Sequence, residues 1–187
     1  MNPQDRLRAL LVERSLRTGE FTLASGARSN YYIDARRTTM TAEGQALIGR
    51  LGWESIQQAG LKPTHVGGMT LGADPVAYAV AHHSWLQGAR LDAFTVRKAA
   101  KEHGTGQRIE GGVPPGASLV VVEDSMTTGG SALQAIQVLR DAGCSILAVL
   151  TVVDREEGGR QTLEEAGIPL LLTLTTAREL LELHASR

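Results

Sequence analysis

The stretch from Leu119 to Ser131 constrains the fold more than any other part of the chain. Leu119, Val120, Val121 and Val122 form a short apolar run that reads as a buried strand. Two adjacent acids, Glu123 and Asp124, follow at its carboxyl end. Thr127, Thr128, Gly129, Gly130 and Ser131 then lead into a helical pattern marked by Leu133, Ile136, Leu139 and Ala142 and stopped by Gly143. Strand, acids, glycine-hydroxyl loop and helix, in that order, describe the place where an open α/β sheet binds its ligand.

The rest of the chain alternates in the same way. Pro3 to Arg17 carries Leu7, Leu10, Leu11 and Arg14 at helical spacing, with Gly19 as a stop. Leu23 to Gly26 reads as a turn and Tyr31 to Asp34 as a short strand; with Phe21 they suggest a small hood over residues 19–40. Thr41 caps a helix running through Leu47, Ile48, Leu51 and Ile56 to Gly60. His65 to Gly67 is a strand, Gly68 to Gly72 a tight loop, and Asp74 the cap of an alanine-rich helix with Pro75 at its first position. Leu91 to Val96 and Ile146 to Val153 are further strands, followed by a helix near Thr162 to Ala166, a strand Leu170 to Thr173 and a helix Thr176 to His184. This pattern predicts one α/β domain over residues 1–187, with a mostly parallel central sheet flanked by helices.

Charge and cysteine content exclude several classes of function. With 19 basic and 20 acidic residues the net charge is -1, so no overall field draws the chain to nucleic acid or to an anionic membrane. Cys144 is the single cysteine, which rules out an intrachain disulfide and suits a reducing cytosol; it reads as a buried structural thiol. The polar start Met1 to Arg6 lacks a signal-peptide pattern, and the apolar run Ile146 to Val153 is far too short to cross a bilayer. A cytoplasmic protein is expected. His65, His82, His83 and His184 have no metal-ligand spacing and read as structural or surface residues.

The central loop has the chemistry of an anion cup. A helix starting near Ser131 leaves its first backbone N–H groups unpaired beside the positive end of its dipole. Gly129 and Gly130 let the backbone wrap closely, and Thr127, Thr128 and Ser131 add hydroxyls, which together suit a phosphate. No Lys follows the glycines, so this is not a Walker A loop. Glu123 and Asp124 would repel a phosphate and more plausibly face hydroxyls, so phosphate on one side and a hydroxyl-rich ring on the other describe a ribose 5-phosphate. Read blandly, the two acids are turn and capping residues and the glycines only shape a loop.

The stretch from Val120 to Ser131 resembles the phosphoribosyl pyrophosphate motif of type I phosphoribosyltransferases. Four further stretches are similar to the orotate phosphoribosyltransferases in particular, in the family's order: Gly19 to Gly26 with Tyr31 to Asp34; Gly67 to Pro75; Val96 to Gly106; and Asp154 to Glu156. The resemblance implies transfer of ribose 5-phosphate from phosphoribosyl pyrophosphate to orotate, giving orotidine 5'-monophosphate and pyrophosphate, with Mg2+ as cofactor. It assigns phosphoribosyl pyrophosphate to Arg97, Lys98, Lys101, His103 and the run Glu123, Asp124, Ser125, Met126, Thr127, Thr128, Gly129, Gly130 and Ser131, with Lys101, His103 and Asp124 closest to the chemistry. Orotate falls to Thr127 and Arg155, and the Gly67 to Asp74 loop to pyrophosphate. Mg2+ in such sites is held mainly by substrate phosphates and water, so no protein metal cage is expected. The family's basic loop reaches a neighbouring subunit's site, which implies a homodimer.

The residue chemistry points the same way. Displacing pyrophosphate from an anomeric carbon builds positive charge on the sugar and negative charge on the leaving group, so cations must clamp one and carboxylates must face the other. Arg97, Lys98, Lys101 and His103 supply cations from one glycine-bounded loop, although such a run can also be a solvated surface. Arg155 at a strand end can pair a substrate carboxylate bidentately, or make an ordinary salt bridge with Glu156 or Glu157. One departure stands out: Ala24 occupies a position where the family often has Lys. Transfer to a purine or other base, and a catalytically silent nucleotide sensor, are the competing readings; Arg155 with the basic loop argues against the first, and near-zero net charge against the second.

Overall fold

The computed structural model describes residues 2–22, 28–99 and 108–187. The chain opens with α1 (Pro3–Arg14), whose N-cap Asn2 accepts the Asp5 N–H at 2.8 Å. It then enters β1 (Leu16–Thr22), which pairs antiparallel with β2 (Arg28–Ile33) in a separate two-stranded ribbon. This ribbon overlaps the stretch 19–40 expected to form a hood but begins earlier, and α1 stops at Arg14 rather than Arg17 because Leu16 and the residues after it are drawn into pairing with β2.

A short helix α2 (Arg36–Thr39) leads to α3 (Ala42–Gln58), capped by Thr41 as expected. After it come β3 (His65–Met69), α4 (Ala73–Leu86), β4 (Asp92–Val96), β5 (Ile109–Glu110) and β6 (Ser118–Met126). The chain finishes with α5 (Gly130–Asp141), β7 (Ser145–Asp154), α6 (Gly159–Glu165), β8 (Leu171–Thr176) and α7 (Ala177–Ala185). The sheet order is β5-β4-β3-β6-β7-β8, parallel throughout except for the two-residue β5, which runs antiparallel to β4. The expected mostly parallel sheet flanked by helices is thus the fold.

Residue alternation along the strands divides the core into two apolar layers. Val120 and Val122 of β6 pack with α1, α3, α4 and α7 on one face. Leu119 and Val121 pack with α5 and with Leu163 of α6 on the other. Small residues set the spacing: a Cβ on Gly49 of α3 would stand 2.5 Å from the Ala79 carbonyl oxygen of α4, so the two helices touch backbone to backbone. Cys144 is buried just before β7, with Sγ 3.8 Å from the Pro114 carbonyl oxygen, and burial pushes its thiol pKa up. No helix among the described residues is long and apolar enough to cross a membrane.

The topology fixes where a ligand can sit. From β3 the chain leaves through α4 to β4 on one side, and from adjacent β6 through α5 to β7 on the other. The carboxyl ends of β3 and β6 therefore part around a crevice at the point where the winding reverses.

Candidate active site at the carboxyl ends of β3 and β6

The two acids do not follow the central strand; they lie within it. Pairing with β7 continues past the apolar run, with Glu123 opposite Thr151 and Met126 opposite Asp154. Strand alternation consequently sends the acids to opposite faces. Glu123 shares a face with α5 and accepts the Ala132 N–H. Asp124 faces the β3–α4 loop, where a Cβ on Gly72 would stand 2.4 Å from its Oδ1. Glu123 is only 8% exposed, and burial, with Asp124 next in line, pushes its carboxyl up to about 7. Burial raises the Asp124 pKa as well, against the pull of N–H donors and the charge of Arg36.

Both acids line a cleft of about 330 Å3. Its other walls are Tyr32 to Arg36 from the hood, Met69 to Ala73 after β3, Lys98 after β4, and Ser125 and Ser131. Arg36 and Asp34 form a bidentate ion pair across this wall at 2.9 and 3.3 Å, which lowers the Asp34 pKa and leaves Arg36 close enough to act on Asp124. Sequence reasoning missed Asp34 and Arg36 as site residues. The only available signal was Arg36 directly beyond the hood strand, and an isolated arginine there has no motif.

The run expected to form an anion cup surrounds the start of α5. Gly129 sits at φ 79 as the N-cap of α5 and has no side chain to cap the helix; Glu123 takes the Ala132 N–H, so the first-turn N–H groups offered to a ligand are those of Gly130 and Ser131. Ser131 reaches the cleft, while Thr128 and Gly130 are exposed beside it. Thr127 is half-buried and its carbonyl oxygen accepts the Gly159 N–H at 3.0 Å. Met126 departs from the rest of the run: its side chain is fully buried in the second apolar layer, and its carbonyl oxygen accepts the Arg155 N–H at 2.9 Å.

Asp74 is not the cap of α4. Gly72 holds that place, Pro75 is third in the helix, and Asp74 instead accepts hydroxyl hydrogen bonds from Thr70 at 2.7 Å and Thr95 at 2.9 Å. These bonds tie the loop after β3 to the end of β4. Of the basic loop, Lys98 lines the cleft, whereas Arg97 turns to Glu110 at 3.5 Å and takes its carbonyl oxygen to Arg108. Lys101 and His103 lie outside the described residues, as does Ala24.

Arg155 ends β7 beside these elements. Its guanidinium is 7% exposed, lies 5.1 Å from the centre of the Tyr31 ring, and has Nη2 2.8 Å from Glu157 Oε1. Nε and Nη2 are nonetheless buried without a directed hydrogen bond. The ion pair with Glu157 expected of an ordinary surface arginine is therefore present, but on a buried cation whose Nε is left without an acceptor.

The profile of the family described as the phosphoribosyl transferase domain matches residues 39–166. An orotate phosphoribosyltransferase of Aquifex aeolicus is 43% identical over 173 residues, covering 91% of this chain and 93% of the relative. The chain belongs to the orotate phosphoribosyltransferase family. The Streptomyces coelicolor orotate phosphoribosyltransferase is 44% identical over 86% of this chain and 88% of its own. Among solved structures, the Mycobacterium tuberculosis orotate phosphoribosyltransferase in complex with Fe(III) dicitrate superposes with a TM-score of 0.82 at 40% identity, over 96% of this chain and 99% of that one. The same protein in complex with 5-phospho-alpha-D-ribosyl 1-diphosphate gives 0.78 at 37% identity, with the same coverage.

Within this member of the orotate phosphoribosyltransferase family, Gly72 tests how closely Asp124 is fitted. Its φ of -61 accommodates alanine, yet the added methyl would meet the Asp124 carboxylate at 2.4 Å. Gly72→Ala is expected to swing that carboxylate aside, lowering kcat/KM roughly tenfold while stability changes by less than about 1 kcal/mol. Steady-state rates and urea unfolding of the one variant check both halves.

Proposed function

We propose that this chain transfers ribose 5-phosphate from phosphoribosyl pyrophosphate to orotate, releasing pyrophosphate and giving orotidine 5'-monophosphate for pyrimidine nucleotide synthesis. The observation that carries the choice of base is the buried Arg155 guanidinium at a strand end next to the acid-lined cleft, whose Nε has no hydrogen-bond acceptor and whose Nη2 has only the Glu157 carboxylate beside it. A substrate bearing a carboxylate meets that unmet need. The sugar lies against Glu123 and Asp124, and its 5'-phosphate on the start of α5 at Gly130 and Ser131 with Thr127 and Thr128. As the anomeric carbon–oxygen bond to pyrophosphate breaks, the two carboxylates stabilise the positive charge that develops on the ribose. Lys98, together with Arg97, Lys101 and His103, is assigned to the leaving pyrophosphate.

Mg2+ fits the donor set, because the cleft offers hard oxygens from Asp34, Asp124, Thr70 and Ser125. Asp124 and Glu123 are assigned to the ribose hydroxyls and the ion to substrate phosphates and water. Bound there, Mg2+ would neutralise the leaving group. The same reading makes the protein a cytoplasmic homodimer that shares its basic loop; the single buried cysteine supports the reducing compartment.

One assay decides the substrate. The protein is incubated with phosphoribosyl pyrophosphate, Mg2+ and one base at a time, and orotate absorbance is followed; turnover of a purine but not of orotate sinks the proposal. In the same assay Arg155→Ala is expected to raise the KM for orotate roughly 10- to 100-fold, the worth of a lost hydrogen-bonded charge pair. An unchanged KM would remove Arg155 from the base site.

A further inference from the structure

We infer that Tyr31 is a positioning residue for the base site, holding the Arg155 guanidinium under the hood by its ring face. The inference rests on the proposed role of Arg155 and adds a residue from a different element of the fold. Tyr31 lies in β2, where the inward side of the strand carries Ser29, Tyr31 and Ile33 while Tyr32 points outward at 39% exposed. The Tyr31 ring packs against the main apolar layer, and Arg155 Cζ sits 5.1 Å from its centre. That distance is within cation–π range, and the buried setting strengthens the attraction.

The rest of the guanidinium's surroundings explain why such a support is needed. A buried guanidinium is ordinarily fixed by directed hydrogen bonds. Here Nε and Nη2 have none, and the only charged side chain against the group among the described residues is Glu157, 2.8 Å from Nη2 and itself 35% exposed. Nε thus stays open to a ligand, with Nη2 held only by the half-exposed Glu157, while the Tyr31 ring fixes the plane of the group. Tyr31 is in turn seated by local bonds, since Ser29 Oγ donates to its carbonyl oxygen at 2.7 Å. The hood accordingly sets the orientation of the base-selecting cation, and its ribbon is joined to the chemistry of the parallel sheet through one ring.

Enzyme variants provide the test. Tyr31→Ala is expected to raise the KM for orotate roughly 5- to 20-fold, the range a buried cation–π contact supports, with the KM for phosphoribosyl pyrophosphate and kcat nearly unchanged. Preference for orotate over uracil, which lacks the carboxylate, should fall by the same factor. Tyr31→Phe keeps the ring and should restore orotate affinity, and in an Arg155→Ala background Tyr31→Ala should add almost nothing. Equal damage from Phe and Ala, parallel loss of affinity for both substrates, or multiplying effects with Arg155→Ala would each overturn the assignment. So would a lowered KM for orotate, which would make Tyr31 a cover over Arg155.

A second measurement does not depend on turnover. The Arg155 Nε–H signal, assigned by its loss in Arg155→Lys, should be ring-current shifted and slow to exchange in the wild-type protein and in Tyr31→Phe, but not in Tyr31→Ala. If the wild-type protein leaves orotate unconverted while this signal behaves as expected, the substrate reading fails and the positioning role stands. An Arg155 signal indifferent to Tyr31→Ala removes the role itself.

Discussion

At pH 8 the ligand-free Glu123→Gln variant is expected to be more stable than the wild-type protein by about 2–3 kcal/mol while its kcat/KM falls roughly 100-fold. The Glu123 carboxyl has an ordinary value of 4.5 and is pushed up to about 7 in the folded chain, first by burial and then by Asp124 beside it. The folded state therefore holds this proton more tightly than the unfolded state does. Below about pH 4.5 both states are protonated and the group costs nothing. As pH rises from 4.5 to 7 the unfolded chain ionises first and stability declines, and above 7 the full penalty is present. Every tenfold difference in proton affinity between the two states corresponds to about 1.4 kcal/mol. An amide of the same shape, still able to accept the Ala132 N–H, removes most of that cost.

Urea unfolding at pH 8 and pH 5 checks the sign: the advantage of Glu123→Gln should be large at pH 8 and shrink at pH 5. A pH-independent difference would show that packing, not ionisation, sets it. The loss of activity has the opposite origin, since an amide cannot stabilise positive charge on the ribose. Residues that weaken a fold while serving its site are a general expectation, and the two measurements together would make the buried acid pair in β6 that kind of compromise.

What the sequence disclosed and what it hid follow from the range of the interactions involved. The order from acids to glycine cup is local, and four consecutive apolar residues before it, three of them β-branched, read as a buried strand. The end of that strand was hidden because β6 is carried on by pairing with β7 through Ser125 opposite Val153 and Met126 opposite Asp154, which no hydrophobic pattern records. β1 was hidden for the related reason that only Leu16 of its seven residues is buried, and β5 because two residues carry no period. Asp74 looked like a cap because capping and cross-loop hydrogen bonding use the same residue type; Thr95, twenty-one positions on, decided between them. Arg97 and Lys98 part just beyond β4, where Arg97 is held to Glu110 and Arg108 while Lys98 reaches the cleft, which is legible only once β4 has been placed. The cleft wall formed by Asp34 and Arg36 depends on how the hood packs, a tertiary fact with no local signature.

Gly67→Val is expected to abolish cooperative folding. Gly67 lies mid-way along β3, opposite Phe94 of β4 and Val121 of β6, so it has a strand on each side. An added Cβ would stand 2.1 Å from the Phe94 carbonyl oxygen and 2.6 Å from two atoms of the Phe94 ring. The first obstacle is backbone held in the sheet, and the ring belongs to one of the largest fully buried side chains, so neither can withdraw cheaply. Relief would require β4 to move away from β3, opening the parallel pairing and the end of β4 that carries Lys98. A cost above about 4 kcal/mol is expected, a large share of the roughly 5–15 kcal/mol that holds a domain together. The comparison is Gly130→Ala in the anion cup, where a Cβ meets nothing nearer than Thr128 Oγ1 at 3.8 Å. That variant should unfold within about 0.5 kcal/mol of the wild-type protein. Circular dichroism and urea melts on the two proteins separate a glycine required for strand spacing from one set in the ligand loop, and a Gly67→Val chain with a wild-type midpoint would mean that β3 and β4 have slack the packing does not reveal.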